Sequence, residues 1–229
     1  MKWEQFNMEW NSNITNIEEK LVLAKKIAQK VKDGDVIGFG SGSTSYIAVE
    51  EIAKKIKNEG LSIIAIPTSY EIKILCNSLG IKTASIMEEK PDWSFDGTDE
   101  YNKDGWLIKG RGAAMFKEKM NILNSKKVYI LADKTKYVDN LGANYSIPVE
   151  CHPETFKYVK QQLVKLGAKE CALRLAQGKD GPVITENNNF IIDAKFEHIE
   201  QSLEKEIKMI SGVIESGLFI GYNNIEILK

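Results

Sequence analysis

Residues 95–119, FDGTDEYNKDGWLIKGRGAAMFKEK, place the close pair Asp96 and Asp99, Lys109, the glycine-bracketed Arg111 and Glu118 within one short span. Removing a proton from carbon beside a carbonyl near neutral pH takes a positioned carboxylate base and a cationic or hydrogen-bonding group for the developing oxyanion. Glu118 and Lys109 are residue types suited to those two roles. An aldose phosphate rests mostly as a closed ring, so a proton shuttle must open it, and Asp96 and Asp99 fall on an expected strand-to-loop edge from which they could act. Gly110 and Gly112 flank Arg111 just before the helix-forming run 113–120. That order turns backbone N–H groups and a helix N-terminus toward an anion. The inventory is that of a proton-transfer site for one anionic, phosphorylated sugar.

A plainer reading stands beside it. Asp, Gly and Thr at a strand end often only close a loop. The run Lys117-Glu118-Lys119 is ordinarily a solvated helix face, and on spacing alone that reading outranks catalysis. A second glycine-rich loop shifts the balance. Gly38-Phe39-Gly40-Ser41-Gly42-Ser43-Thr44 follows an apolar strand pattern at 35–39 and precedes a helical pattern through Tyr46, Ile47, Val49, Ile52, Ala53 and Ile56. Strand, Gly/Ser/Thr turn and helix together make a phosphate cradle, in which glycines let the backbone approach and hydroxyls and N–H groups donate. GFGSGS lacks the third glycine of a dinucleotide fingerprint and no GK[ST] follows, so neither a dinucleotide nor a P-loop site is expected.

The elements that must hold these loops follow from alternating periodicities. Thr15-x-x-Glu18 reads as a capping box, with Ile17, Leu21, Ala24, Ala28 and Val31 at helical spacing and a helix end near Lys32. Strand patterns follow at 35–39, 61–66, 81–86, 92–96 and 127–132, separated by helix patterns at about 45–58, 69–79 and 112–123. Alternating strands and helices predict an α/β fold: a Rossmann-like, mostly parallel sheet with helices on both faces. Ligands then gather at the carboxyl ends of the strands, where both glycine-rich loops and the aspartate pair lie. After Asp133 the pattern changes to a helix through 156–166, strand-like 170–175, a turn at 178–181, a hairpin-like 183–193 and a helix near 198–209. That mixture predicts a smaller α+β unit of ferredoxin-like type, suited to a lid, a subunit interface or passive packing.

Composition narrows the class further. The chain has 229 residues, enough for one large domain plus a small one, and 31 basic against 32 acidic residues, a net charge of −1. No global electrostatic case exists for a nucleic-acid or membrane partner. No apolar run approaches a bilayer span, and MKWEQFNMEWNSN lacks a secretory core, so a cytoplasmic location is expected. Cys76, Cys151 and Cys171 lie far apart without CxxC spacing and read as reduced packing residues. Cys151 and His152 are adjacent and on an extended chain point to opposite faces, which argues against a nucleophile and base pair. With only His152 and His198, no metal site is expected.

The residues carry a resemblance. The chain resembles the type A ribose-5-phosphate isomerase family through GFGSGST at 38–44, IPTS at 66–69, FDGTDE at 95–100, IKGRGAAMFKEK at 108–119, LADKTK at 131–136, PVE at 148–150, PVITENNNFIID at 182–193 and SGVIESGLF at 211–219. The segments run in the family's order over nearly the whole chain. The resemblance implies reversible isomerisation of ribose 5-phosphate and ribulose 5-phosphate through an enediolate, a step of the non-oxidative pentose phosphate pathway, without metal or organic cofactor. On matching positions Glu118 is implied as the base that moves a proton between C2 and C1, Asp96 as the residue assisting ring opening, and Asp99 and Lys109 as the groups binding and polarising the oxygens. Ser41, Gly42, Ser43, Thr44, Gly97, Thr98, Gly110, Arg111, Gly112 and Lys136 complete the implied substrate site, with Lys20 reaching the phosphate. The resemblance also returns 218–220 and 225–228 to the large sheet, giving a catalytic domain of 1–142 and 212–229 and a small domain of 143–211. A homodimer or homotetramer is implied.

Three positions depart from the family pattern. Arg111 stands where the family reads K-G-G-G, either adding a cation near the substrate or pointing away. Ser41 replaces a threonine and keeps the hydroxyl. TENNN at 185–189 replaces TDNGN, a change expected to alter only a hairpin turn. Two other classes compete with the isomerase. A phosphosugar sensor without turnover leaves Glu118 without a task. An amino-sugar phosphate deaminase or acyl-CoA transferase on a similar scaffold leaves the two aspartates and the lysine unexplained.

Overall fold

The computed structural model describes residues 14–229. Trp3 and Trp10, expected either to cover a subunit surface or to pack back on the protein, lie outside the described residues. In chain order the elements are α1 (Ile17–Ala28), β1 (Val36–Phe39), α2 (Ser43–Glu59), β2 (Ile64–Pro67), α3 (Tyr70–Ser78), β3 (Lys82–Thr83), β4 (Trp93–Gly97), β5 (Glu100–Tyr101), β6 (Leu107–Ile108), α4 (Met115–Asn124), β7 (Lys127–Leu131), β8 (Ile147–Cys151), α5 (Phe156–Lys165), β9 (Glu170–Leu173), β10 (Phe190–Lys195), α6 (Leu203–Lys208), β11 (Val213–Ser216), β12 (Leu218–Phe219) and β13 (Ile225–Leu228). The described residues form two compact units, one of 14–97, 120–134 and 224–229, the other of 98–119 and 135–223.

The first unit is built on a six-stranded sheet of order β13-β7-β4-β1-β2-β3 in which every pair is parallel. Numbered by appearance within the sheet, this is the 3-2-1-4-5-6 order of the Rossmann fold, whose switch point falls between the first and fourth strands, here β1 and β4. The strands are short apolar runs because both sheet faces are covered. Phe39 and Phe95 pack with ring centroids 5.0 Å apart, and Leu23, Ile27, Ile47, Ile52 and Ile72 close the core around them. The expected capping box does not form: Asn16 precedes the first turn of α1 in the left-handed region (φ 54°) and no side chain caps the helix. The pattern at 81–86 yields only the two-residue β3.

The second unit holds a four-stranded antiparallel sheet, β11-β8-β10-β9, with α5 and α6 in the β-α-β-β-α-β sequence of a ferredoxin-like unit. Its core includes Val149, Val159, Leu163, Ile192, Leu203 and Ile207. Because β11 (Val213–Ser216) supplies the fourth strand, this sheet extends past residue 211. Strand β8 was not foreseen: Pro148 argues against a central strand, yet it sits between β11 and β10, with a register shift between Val213 and Glu215. A small sheet, β12-β6-β5, joins this unit, so Leu218–Phe219 pairs with β6 and not with the large sheet, where β13 alone returns. The close passage of Gly217 explains it: an added Cβ there would lie 2.1 Å from the Lys109 carbonyl oxygen, and Lys109 N–H donates to Gly217 O at 2.9 Å.

Candidate active site

The residues singled out in the sequence divide between the two units. In the first, β1 runs into Gly40 and the Ser41–Gly42 turn that opens α2, and β4 carries Asp96 next to its last residue, Gly97, so both lie at the carboxyl ends of the strands flanking the switch point. Gly40 is buried against Asp96: an added Cβ would fall 2.1 Å from its Oδ1. Glycine is therefore required here for close approach of two strands. Asp96 is 3% exposed, and its Oδ1 accepts from Gly97 N–H at 2.8 Å and lies 3.5 Å from the Ser45 hydroxyl. Gly97 has open space around it, Thr44 Cβ being 3.9 Å from a built Cβ.

The hydroxyls of the loop are ordered by neighbours in the same unit. Ser41 Oγ donates to Ser69 Oγ at 2.7 Å and lies 2.7 Å from Thr68 Oγ1, while Ser69 also caps α3 by accepting from Ile72 N–H. Helix α2 begins at Ser43 after Gly42 (φ 88°), and no side chain caps it. Lys20, on α1 and 6% exposed, donates from Nζ to Ser43 Oγ at 2.9 Å. A lysine 23 positions upstream is thereby brought to the phosphate-cradle turn.

In the second unit the central pair is Lys109 and Glu118. Both are buried, at 2% and 4% exposure, and Lys109 Nζ stands 3.4 Å from Glu118 Oε2. Buried charges persist only when paired. Glu118 lies in the first turn of α4, and Lys109 Nζ also faces the Phe219 ring at 5.9 Å. The solvated helix face expected of 117–119 does not exist: Lys119 is 3% exposed and donates to Glu204 Oε1 (2.7 Å), Glu215 Oε1 (2.9 Å) and Leu218 O (2.8 Å). Only Lys117 is partly solvated, paired with Glu186 at 2.6 Å. Burial raises the Glu215 carboxyl, but the charge and hydrogen bond of Lys119, the Ser216 N–H and Lys208 together hold it below its usual range. Burial, with the hydrogen bond to Glu204, pushes the Tyr222 phenol up.

The loop between Lys109 and α4 is tightly wound. Gly110 has φ 95° and packs on Met115, while Ala113 takes φ 64° and closes a turn by donating to Gly110 O at 3.0 Å. The helix starts at Met115, two residues later than the sequence pattern places it. A non-glycine residue in the left-handed region is strained and marks a conformation its surroundings impose. Asp99 holds the loop from one side, its Oδ2 accepting from Arg111 N–H at 3.1 Å. Thr98 faces inward, with Oγ1 2.7 Å from Glu100 O and 2.9 Å from Ile108 O.

Arg111 is exposed and stands 5.7 Å from the Tyr145 ring, as does Lys136 Nζ. A cavity of about 450 Å³ lies within this unit and is lined by Asp99, Arg111, Asn144, Tyr145, Arg174 and Asp193 among others. Arg111 thus edges a cavity. One residue that the sequence left unassigned braces a wall of this cavity from behind. Glu100, fully buried, accepts from the N–H groups of Gly142, Asn144 and Tyr145 at 2.7, 2.5 and 3.0 Å and so fixes the loop carrying Tyr145. The TENNN segment does turn on Asn188 (φ 62°), but Thr185, Asn187 and Asn189 also donate to buried Glu150 Oε1. Among the described residues no group of three or more His, Cys, Asp or Glu could hold a metal ion, and no helix is long and apolar enough to cross a membrane.

Comparison with known proteins gives one consistent answer. The family model described as Ribose 5-phosphate isomerase A (phosphoriboisomerase A) matches residues 64–228. Ribose-5-phosphate isomerase A of Methanothermobacter thermautotrophicus is 39% identical over 88% of this chain and 89% of its own length, and that of Methanocaldococcus jannaschii 40% identical over 90% and 92%. The solved M. jannaschii enzyme matches with a TM-score of 0.89 at 38% identity over 93% of this chain and 95% of that one. A solved D-ribose-5-phosphate isomerase in complex with phospho-erythronic acid matches at a TM-score of 0.88 and 36% identity over the same shares.

Proposed function

The chain belongs to the ribose 5-phosphate isomerase A family, and from that premise we propose that it interconverts D-ribose 5-phosphate and D-ribulose 5-phosphate with Glu118 as the base. The observation that carries this reading is the buried Lys109–Glu118 pair, 3.4 Å apart at the start of α4. A buried carboxylate beside an ammonium is equipped to take a proton from carbon while the ammonium meets the negative charge that appears on oxygen.

Glu118 accepts the C2 proton, the C–H electron pair becomes the C1–C2 double bond, and the carbonyl electrons move onto O1, giving an enediolate. Lys109 and Asp99 bind and polarise the two oxygens. The O2 proton passes to O1, Glu118 returns its proton to C1, and the carbonyl reforms at C2. In the first unit Asp96 assists opening of the sugar ring, and Lys20 with the Ser41–Thr44 turn takes the phosphate, where an uncapped helix N-terminus and hydroxyl donors favour an anion. The reading uses no metal and no organic cofactor, and it places the protein in the non-oxidative pentose phosphate pathway as a homodimer or homotetramer.

The test is NMR of ribose 5-phosphate incubated with the protein in D2O containing EDTA. The reading expects ribulose 5-phosphate to form with chelator present and deuterium to enter C1. Binding of the sugar without conversion would overturn it in favour of a sensor, and release of ammonia from an amino-sugar phosphate would favour a deaminase.

A further inference from the structure

We propose that Arg174 is a positioning residue for the reaction, gripping the carbonyl face of the Lys109–Gly112 loop and thereby fixing where the loop's peptide N–H groups point. The inference rests on the isomerase reading in taking this loop as part of the substrate site.

Arg174 follows β9, and its own backbone is fixed by two hydrogen bonds, its N–H donating to Ile191 O and its carbonyl accepting from Val183 N–H, both at 2.9 Å. Its Nε donates to Asp193 Oδ2 at 2.9 Å and its Nη2 to Asp193 Oδ1, a two-pronged pairing that orients the guanidinium plane. The remaining Nη1 donates to Gly110 O at 2.9 Å and Arg111 O at 3.0 Å. In a trans peptide the C=O and N–H point in opposite directions. With Gly110 O drawn toward Arg174, the Arg111 N–H must face away, and there Asp99 Oδ2 receives it. By the same geometry the Arg111–Gly112 peptide, whose oxygen also faces Arg174, turns the Gly112 N–H toward the Asp99 side. Asp99 and Arg174 thus hold opposite faces of the loop. Such a grip has a purpose, because Ala113 (φ 64°), where the loop enters α4, holds a conformation that alanine does not prefer. Arginine suits the position because one planar fork serves a carboxylate and two carbonyls at once, which a lysine ammonium cannot do.

The test uses Arg174→Lys, Arg174→Ala and Asp193→Asn in the full chain, with kcat and KM for ribose 5-phosphate, Kd for phospho-erythronic acid and Tm measured alongside the wild type. A displacement of the loop by an ångström costs about 10- to 100-fold in rate. The expected result is a kcat loss of that size in Arg174→Lys, with KM changed by less than about threefold because the phosphate is held by other groups. Partial recovery of the Arg174→Ala rate on adding guanidinium ion is expected as well. If Arg174→Ala does not fold, Asp193→Asn, which keeps the shape and loosens the fork, carries the same expected kcat loss. Wild-type kcat in both Arg174→Lys and Asp193→Asn would overturn the proposal, as would a loss seen only in KM. In either case an active wild type leaves the isomerase reading standing, whereas a wild type that does not turn over ribose 5-phosphate overturns that reading and this role together.

Discussion

Replacing Gly40 by alanine adds a single methyl group at the place where β1 meets Asp96. A Cβ built there falls 2.1 Å from Asp96 Oδ1, 2.2 Å from Cγ and 2.6 Å from Cα. Rotation of the carboxylate relieves the first two contacts. The third is to backbone, about 0.8 Å short of the 3.4 Å at which ordinary contact begins, so β1 or β4 must move. Overpacking of this kind costs about 1–3 kcal/mol, which for a chain of this size is roughly 2–12 °C in Tm. The same movement displaces Asp96, and a shift near one ångström lowers kcat by about 10- to 100-fold. Differential scanning fluorimetry and a coupled isomerase assay read both numbers. Gly97→Ala is the control for stability, because it follows Asp96 directly yet a Cβ there meets only Thr44 Cβ at 3.9 Å. Wild-type Tm and kcat in Gly40→Ala, or an equal loss of Tm in Gly97→Ala, would refute the reasoning.

Lys119→Met should destabilise the fold by about 1–3 kcal/mol, since it takes the ammonium from buried Glu215, which keeps Lys208, and from half-buried Glu204, and thermal melts check it. Because the folded Glu215 carboxyl titrates below its ordinary value, its contribution is present above the unfolded carboxylate range and lost as pH falls through the lower folded value. Tm should therefore decline below about pH 4, and Glu215→Gln should flatten that acid limb in a pH series of melts. Burial pushes the Cys76 thiol up to about 12 and the Cys151 thiol up to about 11, so iodoacetamide at neutral pH should spare both in the folded protein and label partly exposed Cys171 first, as mass spectrometry would show. Arg111→Gly should change substrate affinity or preference by a few-fold, because the side chain edges the cavity beside Asp99; unchanged kinetics across pentose and hexose phosphates would place it outside the substrate's reach.

Legibility in the sequence followed the physics of each segment. The parallel sheet was readable because β1, β2, β4 and β7 are short apolar runs punctuated by helical periodicity, and the Gly40 to Thr44 turn because glycine and hydroxyls cluster only where backbone must approach something. Strand β8 escaped because Pro148 removes a ladder donor, and the sheet absorbs it through a register shift that no local pattern announces. Leu218–Phe219 was assigned to the wrong sheet because two apolar residues carry no information about partner. Among functional candidates, Glu118 and Lys109 could be named by type, but their mutual distance is tertiary. Lys119, Glu100 and Arg174 were invisible as site residues for one reason: a charged side chain in a polar stretch looks solvated until its partners, Glu215, the 142–145 backbone and Asp193, arrive from far along the chain.

The most direct test of the account is the turnover of Glu118→Gln, an isosteric change that removes the proposed base and leaves the shape of α4. With Tm and phospho-erythronic acid binding near wild type, the account predicts a kcat lower by at least about 10²-fold, the contribution of a positioned base, and loss of deuterium entry at C1 on the same timescale. A folded Glu118→Gln protein that binds the analogue and still isomerises ribose 5-phosphate near the wild-type rate would contradict it.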